Sequence, residues 1–131
     1  MDTQIIADCM RASFANTPFP EVVSRLAGAG VRAYRADLIK LRKTYYSRAG
    51  EAHDHAMPHE GAPPVATEFA PVDVESAVRA IQRKEIGYAE FLNRIMRAGC
   101  ASYSVYFGGR KAVYVGRDGD QYVEPFPTPK S

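Results

Sequence analysis

The amino-acid sequence predicts an α+β fold: an internally duplicated helix-helix-strand-strand unit plus a C-terminal strand, with helices packed on one face of an antiparallel sheet. Three observations lead there. Helical periodicity and strand-like runs follow one another as helix, helix, hairpin, and do so twice. The two halves align without a gap at an offset of 69 residues. Gly108-Gly109 and Asp118-Gly119 separate the last three strand-like runs, and such hairpin signals build antiparallel sheets.

The first helix is read from Ile5, Ile6, Cys9, Met10 and Phe14, which recur at three- and four-residue spacing until Asn16-Thr17-Pro18. A second opens at Phe19-Pro20-Glu21, with a proline and an acid suited to a first turn, buries Val22, Val23 and Leu26, and stops at Gly28-Ala29-Gly30. Segments 31–38 and 41–47, rich in Tyr and Leu, read as a hairpin. Segment 48–72 holds four prolines and no sustained period, so it is expected to be a long loop: a lid, a binding loop or a connector. Asp73 is expected to cap a third helix running to Arg83. A fourth, 88–98, buries Phe91, Leu92, Ile95 and Met96 before Gly99. Strands are expected at 102–107, 111–115 and 121–124.

The repeat supports this order. Phe19 aligns with Tyr88, Glu21 with Glu90, Arg25 with Arg94, Ala29-Gly30 with Ala98-Gly99, Tyr34 with Tyr103 and Tyr45 with Tyr114. Only six of the 28 positions from Phe19 to Tyr46 are identical, so the agreement of helix, Ala-Gly stop and hairpin carries the inference. The chain is thus expected to form one domain, 1–131, with halves at about 4–47 and 73–115.

Composition limits the function classes. Hydrophobic residues at 46% and charged residues at 24% suit a globular core rather than a disordered chain. No apolar run approaches the ~20 residues of a membrane helix. Met1-Asp2-Thr3-Gln4 lacks the opening of a secretory signal, and two cysteines make no disulfide scaffold, so a cytoplasmic location is expected. Charge is uneven: 31–48 is basic, whereas 49–78 holds six acids, no Lys or Arg, and all three histidines.

Phe19-Pro20-Glu21, Ala29-Gly30-Val31, Gln82, the run from Ile86 to Phe91 and Ala98-Gly99-Cys100 together resemble the YdfO-like family of bacterial proteins. The ending, Tyr114 to Asp120 and Val123 to Pro127, resembles it most specifically. Members are sometimes labelled phage envelope proteins, and some sit in prophages. The resemblance implies an α+β fold and a small soluble protein, and it brings no catalytic residues. The histidine-bearing segment lies outside it.

His53, His55 and His59, flanked by Glu51, Asp54 and Glu60, form the candidate metal site; imidazole and carboxylate suit zinc or nickel. Their spacing matches no established motif, and a solvated polar loop is the plainer reading. Cys9 falls on an apolar helix face and Cys100 aligns with Val31, so both read as inert packing. No phosphate loop, serine elbow or paired zinc cysteines occur, and the balance tilts away from an enzyme.

The sheet is more informative. Two-residue turns would put Tyr103, Val105, Phe107, Ala112, Tyr114 and Val123 on the helix side. The other side would carry Tyr106, Val113, Val115, Tyr122 and Phe126 among Ser102, Ser104, Lys111, Arg117 and Glu124, with Arg35, Asp37, Arg42, Thr44 and Tyr46 added by the first hairpin. A half-apolar second face marks a partner. The expected function is therefore a non-enzymatic protein-interaction module that self-associates as a homodimer through this face. A metal-binding protein or small metal-dependent enzyme using the histidines is the alternative. Single-stranded nucleic acid is a weaker one, since Asp37 and Glu124 oppose it within the patch. A third reading has the long loop and C-terminal tail folding over the face and burying it.

Overall fold

Four helices and six strands arise in the order ααβββ, ααβββ, in a computed structural model that describes residues 1–126. Helix α1 (Thr3–Phe14) begins where the Asp2 carboxylate accepts the N–H groups of Gln4 and Ile5, at 3.0 and 3.2 Å. These are donors that a helix start otherwise leaves unpaired. Its buried residues Ile6, Cys9, Met10 and Ser13 trace one stripe. Helix α2 (Phe19–Gly28) carries Pro20 in its first turn and buries Val22 and Leu26. Helix α3 (Pro71–Gln82) buries Val74, Ala77, Val78 and Ala80, and α4 (Tyr88–Arg97) buries Phe91, Leu92, Ile95 and Met96.

The strands are β1 (Val31–Asp37), β2 (Arg42–Ser47), β3 (Ala52–Ala56), β4 (Cys100–Tyr106), β5 (Lys111–Gly116) and β6 (Gln121–Pro125). They form one sheet in the order β3-β2-β1-β4-β5-β6, with every neighbouring pair antiparallel. Strands alternate their side chains between two faces. On the core face Tyr34, Ala36, Tyr45, Tyr103, Val105, Ala112 and Tyr114 are buried and join the helices' buried residues in one hydrophobic cluster. The outer face takes the intervening positions.

Duplication extends to single backbone groups. Left-handed residues recur in pairs: Asn16 and Lys84, Gly30 and Gly99, Leu41 and Arg110, Gly50 and Gly119. The N–H of Asp2 donates to Ala29 O at 2.9 Å, and that of Ala70 donates to Ala98 O at 2.8 Å. The second hairpin of each half also closes alike, through Ser47 N to Glu51 O and Gly116 N to Asp120 O. The seam between halves is the β1–β4 pair at the centre of the sheet.

Three expectations need correction. The expected loop 48–72 contains β3, which adds to the edge of β2. Its sequence Ala-His-Asp-His-Ala has no buried residue, so an apolar period could not reveal it; backbone pairing holds it in place. The rest of the segment lies against the core: Met57 and Val65 are buried, and Ala66 N donates to Met96 O. It does not fold over the outer face.

The second correction is the register of β6. A two-residue Asp118-Gly119 turn would set Gly116 opposite Gln121, but the pair formed is Val115 with Gln121. Three residues, Arg117 to Gly119, close the turn, with Gly119 at φ +89° supplying the left-handed bulge. One residue of slip exchanges the faces. Tyr122, Glu124 and Phe126 consequently stand on the core face and Val123 on the outer one. Thirdly, Asp73 lies in the first turn of α3 rather than at its cap, which Ala70 occupies ahead of Pro71. Pro127, the end of the family-like motif, lies outside the described residues.

Candidate functional site: the outer sheet face and a buried lysine

The outer face differs between halves. In the N-terminal half it carries Arg35, Asp37, Arg42, Thr44 and Asp54, with Thr44 Oγ1 donating to Asp54 Oδ1 at 2.6 Å. In the C-terminal half the equivalent pair is Val113 opposite Val123. Tyr46, Tyr106 and Val123 are 41, 41 and 45% exposed on this one face. With Ala33, Lys111 and Val113 they line an open depression of about 680 Å³. Of the five residues expected on this face, Tyr106, Val113 and Val115 are there. Tyr122 and Phe126 are not.

Tyr122 and Glu124 instead anchor β6 to α3. The Tyr122 hydroxyl donates to Glu124 Oε1 at 2.6 Å, and Arg79 donates to Glu124 Oε2 at 2.8 Å, with Gln82 adding a third bond. Burial alone would raise the Glu124 pKa, but these three donors outweigh it and hold the carboxyl below its ordinary value. Phe126 packs edge-on to Phe19.

The three histidines do not converge. His53 and His55 lie on β3 opposite Tyr45 and Lys43. His59 is buried, its Nε2 2.7 Å from Asn93 Oδ1 and its ring near Phe14. Among the described residues no three His, Cys, Asp or Glu side chains are placed to share a metal ion. Both cysteines are free and buried; burial pushes the Cys100 thiol up to about 12 and raises Cys9 as well, so neither is an activated thiolate.

One polar core residue escaped the sequence reading. Lys43, the second residue of β2, is only 4% exposed. Its Nζ lies 4.9 Å from the ring centroids of both Tyr34 and Tyr88. The Tyr88 hydroxyl is hydrogen-bonded to that of Tyr103, and Tyr45 and Tyr114 extend the aromatic cluster. Burial lowers the Lys43 pKa to about 7, with Cys9 opposing, while burial raises those of all five tyrosines. Two signals could have found it: strand alternation puts Lys43 beside Tyr45, and the repeat aligns it with Ala112.

No family model and no curated protein matches the chain. No helix among the described residues is long and apolar enough to cross a membrane.

Proposed function

We propose that the chain is a protein-interaction module that self-associates through the outer face of its sheet. The observation that carries this reading is the Val113–Val123 pair, set with Tyr46 and Tyr106 in an open depression where the other half has Thr44 and Asp54. A strand face with no structural need for apolar side chains gains by covering them, and a two-fold axis lets one apolar half cover its copy. A cytoplasmic site of action belongs to this proposal, supported by the two free, buried cysteines. So does kinship with the YdfO-like family and its prophage association, supported by the motifs named above.

Light scattering across a concentration series of untagged protein tests it. The wild type should run as a dimer, and Val123→Glu should run as a monomer with an unchanged circular-dichroism spectrum, since burying a carboxylate in an apolar contact costs several kcal/mol. A wild type that stays monomeric at every concentration overturns the proposal. The tyrosines beside Arg32 and Lys111 are also what single strands of nucleic acid stack upon. A salt-dependent gel shift, with a monomer by light scattering, would favour that second reading.

A further inference from the structure

Among the described residues, Tyr46 and Tyr106 pack against no other ring, whereas every other tyrosine does. They belong to one cross-strand row of the outer face, which reads Tyr46, Ala33, Tyr106, Lys111 in register. Neighbouring strands lie about 4.8 Å apart, so the two tyrosines stand about 9–10 Å from each other with only an alanine between them. Aromatic rings pair with centroids about 4.5–7 Å apart, so that gap takes one flat ring with a tyrosine on each side. The row lines the open depression of about 680 Å³, which a ligand enters directly from solvent.

Charge adds a second requirement. Arg32 and Lys111 line the same depression, and neither side chain has an ion-pair or hydrogen-bond partner among the described residues. No described Asp or Glu lines it. The repeat supplies an internal control. At the offset of 69 residues, Tyr46, Ala33, Tyr106 and Lys111 correspond to Val115, Ser102, Asp37 and Arg42. Those four also form a row in register, but it has no ring and sets an acid directly opposite its cation. The sheet therefore forms such a row without the paired tyrosines or the unopposed charge.

We infer that the Tyr46–Ala33–Tyr106 row binds a flat aromatic ring carrying a phosphate, of which a purine nucleoside monophosphate is the simplest form. The ring enters between the two tyrosines, and Arg32 and Lys111 hold the phosphate, one as a planar fork and the other as a point charge. The adjoining row, Thr44, Arg35, Ser104 and Val113, offers no further ring to stack on, so the site takes one base rather than a strand. One copy of the chain builds the whole site, so the inference does not rest on self-association.

The test is titration calorimetry of the untagged full chain with adenosine 5′-monophosphate, beside adenosine and ribose 5-phosphate. The monophosphate should fill a single site per chain, and each of the other two should bind at least about tenfold more weakly, having lost either the ion pairs or the stack. Tyr106→Leu, at an exposed position, should weaken the monophosphate roughly fivefold or more with unchanged circular dichroism, and Tyr106→Phe should restore it. Should the leucine variant fail to fold, the comparison of the three ligands decides alone. A wild type that binds no monophosphate, as monomer or as dimer, overturns the inference. Equal binding of ribose 5-phosphate does so too, since charge alone would then account for it. An oligoadenylate that engages several bases per chain overturns the single-base site in favour of a strand.

Discussion

Lys43 brings an electrostatic cost into the core, because it places an ammonium among phenol rings without a carboxylate. Cation–π attraction to two rings offsets part of that cost, about 1–2 kcal/mol per ring when desolvated. Deprotonation relieves the rest. With an ordinary value of 10.5 in the unfolded chain and about 7 in the fold, the unfolded chain binds the extra proton between those limits. Stability therefore rises with pH across that window, by up to about 1.4 kcal/mol per unit, and the contribution is lost as pH falls through 7. Lys43→Met removes the titration. Its stability should exceed the wild type's by on the order of 1–3 kcal/mol at pH 6, narrowing toward pH 9, in denaturant unfolding at both values. A gap that does not vary with pH would sink this account.

At the scale of elements, turn geometry decides which faces the side chains reach. Gly108-Gly109 and the observed longer turn give the same Tyr106–Lys111 pairing, so the faces of β4 and β5 were legible from sequence. The β5–β6 turn takes three residues, and that single extra residue moved Tyr122 and Phe126 off the outer face. Helices were legible because their buried stripes are long and periodic; β3 was not, because an edge strand of polar residues leaves no stripe. Lys43 was hidden for a related reason: a charged residue in a strand reads as outward-facing until its alternation with Tyr45 and its alignment with Ala112 are set against its charge.

Glycines show how tightly elements meet. A Cβ at Gly99 would lie 2.0 Å from Glu68 O, and φ there is +87°, so both sterics and backbone oppose a side chain. Gly50 has φ +89° with nothing within 4 Å. Gly50→Ala should cost about 1 kcal/mol from backbone conformation alone. Gly99→Ala should cost on the order of 3 kcal/mol or more, because segment 57–70 must also shift. Thermal melts of the two variants compare them directly; equal losses would contradict this packing.

For the molecule as a whole, the halves meet through the β1–β4 ladder and one shared core, and the covalent link between them runs through the exposed Glu60-Gly61 turn. Cleavage after Glu60 by a glutamate-specific protease should yield two fragments that stay together on a sizing column under native conditions, since neither half buries its tyrosines alone. Fragments that separate and lose circular dichroism would show that the link itself holds the seam closed.

Fusion of the halves also frees them to differ. Were two identical ααβββ chains to pair across the same seam, any residue placed in the core by one would be placed there by the other. A lysine at the Lys43 position would then enter twice, and a single hydrophobic interior would have to shelter two mutually repelling ammonium groups. The continuous chain breaks that obligation: Ala112 fills the mirrored place, and one amine stands alone among the rings.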